Sequence, residues 1–309
     1  MCSDNQTTVS DFLLLGFKTH RNFRLLLFFL FLAIYIVILF GNAMIIISIS
    51  LVQYLDIPMF IFLKHLALAD VLFTTNIIPN MLYIILMEGA KISTNGCFTQ
   101  YYFHCISVFA QSLVLTVMSF DRYIAICQPL RYSSVMNHKF CHRLVFWSWA
   151  MGILLMPSEM VALSRLKFCS SNVVDHFFCD FAPVLKISSS DTSLVTWEDY
   201  IFTLILIVVP FLFVIISYIS IFISILKIST TTGRQKAFST CSSHLVTICT
   251  YYGTIITIYV FPVEDNSLNE NKLKSLLYVV LTPFINPIIY SMRNREIRKA
   301  FSQLLCNRK

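Results

Sequence analysis

Asp121-Arg122-Tyr123 sets a carboxylate beside a guanidinium at the end of a long apolar run. An arginine there can pair with its neighbour in one state and reach elsewhere in another, which makes the pair a two-state element. The plainer alternative is a snorkelling arginine that anchors a helix end. A second polar set is Asn42, Asp70 and Asn286, each inside a separate apolar run. Polar and ionisable groups in such runs are expensive, so these three either hold water or an ion, or form a structural hydrogen-bond network. His65, His104 and His244 are scattered, and neither H-E-x-x-H nor G-x-S-x-G occurs. No nucleophile with its base and no metal set is therefore predicted, nor any cofactor or enzyme activity.

The elements that must position these groups are apolar helices. The chain has 309 residues, 57% hydrophobic and only 13% charged, with a mean hydropathy of +0.74. So little charge cannot cover a water-soluble surface, so the solvent for most of the chain is lipid. A bilayer span takes about 20 mostly apolar residues. Runs of that length lie at 25–50, 58–87, 97–127, 141–161, 197–226, 237–261 and 273–292. No period-2 alternation runs through them, which rejects a β-barrel. The predicted fold is an all-α membrane protein, a seven-transmembrane helix bundle with a short amphipathic C-terminal helix. Residues 1–24 form an outer N-terminus, 25–292 the bundle and 293–309 an inner tail. Phe12-Leu13-Leu14-Leu15 is too short for the core of a cleaved leader and follows acidic rather than basic residues. The longest loop, 158–196, is the one segment outside the spans with room for structure of its own.

Charge sets the orientation. With the N-terminus outside, the inner side carries 14 basic residues against three acidic ones, Asp56, Asp121 and Glu296. The outer side then carries 9 basic and 12 acidic residues. This bias predicts N-out and C-in. The formal charge of +7 reflects topology and not nucleic-acid binding. Asn5-Gln6-Thr7 is a glycosylation sequon on the outer side. Of ten cysteines, Cys2, Cys97, Cys169 and Cys179 fall on the oxidising side, where disulfides last. A Cys97–Cys179 bond would fold the long loop over the bundle as a lid, with Cys169 as the competing partner.

Pro79, Pro157, Pro210, Pro262, Pro283 and Pro287 mark places where a helix loses a backbone donor. Pro287 beside Asn286 is placed for a hinge, or is accommodated by packing. Beyond the seventh run, Ile297, Phe301, Leu304 and Leu305 recur at helical spacing among Arg295, Arg298 and Lys299. That pattern predicts a helix lying on the inner membrane surface. Cys306 next to it is either a palmitoylation site or an unmodified thiol.

Three strings carry a specific resemblance. They are Met118-Ser119-Phe120-Asp121-Arg122-Tyr123-Ile124-Ala125-Ile126-Cys127, Lys236-Ala237-Phe238-Ser239-Thr240-Cys241-Ser242-Ser243-His244-Leu245 and Pro283-Phe284-Ile285-Asn286-Pro287-Ile288-Ile289-Tyr290-Ser291. With Gly41-Asn42, Pro58-Met59-Phe60 and Ser217-Tyr218, they resemble the signatures of odorant receptors, a branch of the rhodopsin-like G-protein-coupled receptors. The chain departs from the usual pattern at Ser189, where members carry a further loop cysteine, at Gln111, often Glu, and at Asp56, often His.

The resemblance implies a Cys97–Cys179 disulfide and an odorant pocket in the outer half of the bundle. Candidate lining residues are His104, Cys105, Val108, Phe109 and Ser112 on the third span, and Phe202, Thr203 and Leu206 on the fifth. Tyr252, Ile255 and Tyr259 follow on the sixth, and Val279 and Thr282 on the seventh. The set suits a small, mostly apolar ligand. His104 stands where amine receptors carry Asp; it offers a hydrogen bond or a metal ligand, or packs as a neutral ring. With no carboxylate expected at mid-depth in the outer half, a cationic amine is disfavoured. The implied readout is release of Arg122, restrained in the active state by Tyr218 and Tyr290. A heterotrimeric G-protein would then bind at the inner face and raise cAMP.

Overall fold

The computed structural model describes residues 9–17, 20–169, 171–259, 268–293 and 295–306, without the side chains of 53, 236, 240, 259, 268–270, 292, 293, 295 and 304–306. Seven long helices run through it. They are α1 Arg21–Leu51, α2 Pro58–Met87, α3 Thr94–Cys127, α4 His138–Ser164, α5 Ser193–Leu226, α6 Thr231–Tyr259 and α7 Leu268–Arg293. A shorter helix, α8, follows at Arg295–Cys306. Among the described residues six helices are long and apolar enough to cross a membrane. The other long one, α6, has 29 residues and is interrupted by serines and threonines. Helix is the form that hydrocarbon permits, because every backbone donor finds its acceptor inside the segment.

Local chemistry sets the ends. Pro58 opens α2, where its missing N–H costs nothing. The helix closes on Glu88 at φ +60° and Gly89 at φ +123°, and Glu88 is ion-paired with Arg24 of α1. The Ser93 hydroxyl caps α3 by accepting from the Gly96 N–H at 3.1 Å. Asn137 caps α4 through the Phe140 N–H at 3.0 Å. Helix α5 makes a π turn over Leu204–Val208 just before Pro210, which has no N–H to give.

Helix α3 is the central rod, in contact with α2, α4, α5 and α6, while α1 packs on α2 and α7. Close approach needs small residues at two crossings. A Cβ on Gly152 would lie 3.4 Å from the Ile106 Cα, and one on Gly41 only 2.8 Å from the Pro287 Cβ. The outward faces stay apolar: Phe40 is 68% exposed and Leu154 67%, as lipid-facing surfaces require.

The outer end is more structured than the sequence pattern predicts. Strand β1 (Asp11–Leu14) pairs antiparallel with β2 (Ala90–Ser93) and parallel with β3 (Val173–Val174), giving the order β2-β1-β3. Phe12 and Leu14 point inward and are fully buried, and the Phe12 ring meets Phe168 edge-on at 5.0 Å. The Phe12–Leu15 stretch is thus part of the cover over the bundle.

Candidate ligand cavity and cytoplasmic switch

The Cys97–Cys179 disulfide joins the outer end of α3 to the long loop, with Cα atoms 5.4 Å apart. This fixes the loop across the mouth of the bundle. Cys169 is disulfide-bonded as well, despite the serine at 189; its partner is not among the described residues. The Ser189 hydroxyl accepts instead from the Cys169 N–H at 3.2 Å.

Beneath the loop lies a narrow cavity of about 40 Å³. His104, Cys105, Val108 and Phe109 of α3, Thr203 of α5 and Ile255 of α6 line it. Tyr101, Asp180, Phe181, Asp199, Ile207 and Tyr278 line it too, and sequence reasoning missed them. Two of these are carboxylates, which the expectation of no carboxylate at mid-depth in the outer half did not foresee. Asp180 reaches the cavity from the loop, and Asp199 from the first turns of α5. Charge counting placed both only on the outer side, and the fold turned them inward.

The other candidate residues with described side chains are not among those lining this space. Ser112 and Tyr252 share a hydrogen bond of 3.1 Å, and Tyr252 packs on Phe211 at 4.4 Å. Leu206, Val279 and Thr282 are buried between helices, and Phe202 is half-buried. The Tyr259 side chain lies outside the described residues.

Around the lid, polar groups are paired. The buried Lys272 ammonium of α7 donates to the Gly16 carbonyl at 2.8 Å and meets Asp175 at 2.5 Å. The His176 ring lies between the Phe178 carbonyl, 3.2 Å from Nδ1, and the Ser275 hydroxyl, 3.3 Å from Nε2. Burial, reinforced by nearby Lys272, holds His176 neutral and pushes its pKa down to about 3. An unfolded chain would take up that proton near its usual pKa of 6.5. Stability from His176 is therefore complete above about pH 6.5 and drains away as pH falls toward 3. About 2 kcal/mol should be lost by pH 5. Asp180, pushed up to about 6 by burial, titrates in the opposite sense. The check is the change in Tm of purified protein between pH 7.5 and 5, compared with that of His176→Asn. The variant should lose less, and equal losses would count against the assignment.

Deeper, the predicted polar set divides in two. The Asp70 carboxylate is fully buried; it accepts from Gln111 Nε2 at 2.9 Å and from Asn286 Nδ2 at 2.8 Å. Gln111 thus serves the network as a donor, linking α2 to α3, while Asn286 links α2 to α7. Asn42 bonds elsewhere. Its Nδ2 donates to the Pro283 carbonyl at 3.2 Å and to the Ile38 carbonyl at 3.0 Å. Pro287, four residues beyond Pro283, has no N–H for that carbonyl. Asn42 supplies the missing donor from α1, and Gly41 makes room for the proline ring.

At the inner end, the Arg122 Nε donates to Asp121 Oδ2 at 2.8 Å, and its Nη2 contacts the same oxygen. The Tyr132 hydroxyl donates to Asp121 Oδ1 at 2.9 Å. Arg122 is held by its neighbour. Tyr123 packs with Ile126 and Cys127 against Ile221, Ile225 and Cys241. Tyr218 is engaged with His244 Nδ1 at 2.8 Å, and Tyr290 is fully buried. Helix α8 buries Ile297 and Ala300 and turns Arg298 and Lys299 outward; Lys299 sits 5.4 Å from the Tyr54 ring centre. Asn5 and the side chains of Leu304, Leu305 and Cys306 lie outside the described residues.

The chain matches the family model described as olfactory receptor over residues 31–308. It is 40% identical over 309 residues to Olfactory receptor 1500 of Rattus norvegicus, covering 100% of this chain and 99% of that protein. It is 41% identical over 305 residues to Olfactory receptor 10A7 of Homo sapiens, covering 99% and 96%. Identity is also 41% over 309 residues to Olfactory receptor 1S1 of Homo sapiens, covering 100% and 95%.

Proposed function

Since the chain belongs to the olfactory receptor family, a family of multi-pass membrane receptors and not of enzymes, we propose that its odorant binds in the cavity between α3, α5, α6 and α7. The observation that carries this reading is the cavity itself: a mostly apolar space, roofed by the disulfide-held loop and sparingly lined with polar atoms. That composition fits a small, mostly apolar volatile held by shape and a few hydrogen bonds. The contacting residues are those named above, with Phe109 on the α3 wall. An odorant panel on cells expressing the chain, read by cAMP, tests it. Phe109→Ala should weaken the active odorants at least tenfold, at a cost of about 1.4 kcal/mol or more. Unchanged potency would remove the cavity from consideration.

The ligand acts by favouring one arrangement of the bundle, and it shifts the equilibrium by its differential affinity and no more. The arrangement described here has Arg122 closed on Asp121. Opening that pair frees Arg122 for a heterotrimeric G-protein of the cAMP-raising type. Tyr218 and Tyr290 lie nearby to receive it, and Pro287 permits α7 to bend. The N-terminus faces outward and the tail faces the cytosol, at the plasma membrane. What supports this is the excess of basic residues on the inner loops and the disulfide at the other end. An N-terminal tag should stain on intact cells and a C-terminal tag only after permeabilisation. Both tags on one surface would refute the orientation.

A further inference from the structure

We propose that the cavity takes a cationic ligand, a small protonated amine with a hydrocarbon body, between Asp199, Asp180 and the aromatic rings around them. The inference rests on the cavity being the odorant site and adds the chemical class of what enters it.

Three carboxyl groups, Glu159, Asp180 and Asp199, gather at the outer end. The Tyr101 hydroxyl has one proton to give, and it donates to Glu159 Oε1 at 2.8 Å. Asp199 Oδ1 stands 3.5 Å from the same hydroxyl, at the limit of a hydrogen bond. Asp180 Oδ1 accepts from the Phe181 N–H at 2.9 Å, and its second oxygen has no donor among the described residues. No lysine or arginine lines the space, and none of the three is ion-paired among the described residues.

His104 supplies an independent sign of a missing partner. It lines the same cavity, is 6% exposed, and its Nδ1 has no hydrogen-bond partner among the described residues. A buried ring nitrogen left in this way costs free energy until something bonds it. An ammonium N–H can donate to it.

The walls suit an organic cation better than a metal ion. Tyr101 and Phe181 are stacked at 5.9 Å, and Phe109 and Tyr278 complete an aromatic surround. Ring faces attract ammonium groups, and the aliphatic walls hold the hydrocarbon body. Among the described residues no group of three or more His, Cys, Asp or Glu is placed to hold a metal.

The test uses hexylamine, cyclohexylamine and 2-phenylethylamine against hexanol, cyclohexanol and 2-phenylethanol. It is read as cAMP in cells and as Tm of the purified full-length chain. The amines should raise Tm and evoke cAMP at concentrations at least tenfold below the matched alcohols. Asp199→Asn should weaken the amines about 10- to 100-fold, and Asp199→Glu should restore most of that loss. Surface staining controls for folding of the variants. Alcohols equal to amines, or stabilisation by zinc alone, would overturn the inference, as would the absence of a Tm shift with every amine. If Phe109→Ala weakens neutral odorants while Asp199→Asn changes nothing, the cavity stands and only its charge preference falls. If Phe109→Ala changes nothing, the cavity falls first.

Discussion

Arg122→Ala is expected to abolish odorant-evoked cAMP while the protein still reaches the cell surface. Asp121→Asn is expected to do the reverse and raise cAMP without ligand several-fold. The two follow from one geometry. Arg122 gives both Nε and Nη2 to a single oxygen of Asp121, and Asp121 is fully buried with Tyr132 on its other oxygen. Loss of the charge-assisted bonds from the Asp121 side costs the closed state about 1.5–3 kcal/mol. That is enough to shift a two-state equilibrium roughly 10- to 150-fold toward the open arrangement. Loss of the guanidinium also opens the pair, but it removes the group that the partner would meet. A structural anchor would behave differently, because both variants would then lower surface delivery and neither would raise basal signalling. Surface staining with basal and evoked cAMP distinguishes the two roles. Normal evoked signalling in Arg122→Ala would end the switch assignment.

Cys179→Ser should have the largest effect on folding. The bond closes the stretch from Cys97 to Cys179, 82 residues apart in sequence. Bonds of this kind are worth about 2–4 kcal/mol, mostly by restricting the unfolded chain. Here the bond also positions the cavity, because the next residues, Asp180 and Phe181, line it. Surface delivery should fall severalfold, and Tm should drop in whatever protein is recovered. Cys97→Ser with Cys179→Ser should be no worse than either alone, since both remove one interaction. Full surface levels and unchanged odorant potency in Cys179→Ser would show that the lid does not depend on this bond.

Lys272 illustrates how far the outer end departs from a loose rim. In sequence, Lys272 lies just before the seventh apolar run. In the structure it is 2% exposed and ties α7 to Asp175 of the loop and Gly16 of the N-terminal segment. Such a buried pair is costly to break from one side, so it holds the lid as the disulfide does.

The spans, the fold class and the inner Asp121–Arg122 pair were legible in the sequence because each depends on chemistry close in the chain. Hydrocarbon selects for length and apolarity residue by residue, and helix spacing fixes which neighbours share a face. That placed His104 with Val108 on one face of α3, Cys105 with Phe109 on the next, and Asp121 beside Arg122. Gly41-Asn42 and Asn286-Pro287 were visible as pairs, but not that Asn42 supplies the donor that Pro287 lacks, since that bond spans 241 residues. Gln111 was visible only as a departure from the more usual Glu, whereas the tertiary packing makes it a donor to Asp70. Most of all, the fold alone brought Asp180, Asp199 and Glu159 together at the outer end. They lie on a loop and two different helices, and in sequence each was one more charge on the outer side. Contacts of that kind depend on how rods cross and where a disulfide draws a loop, and no local pattern encodes either.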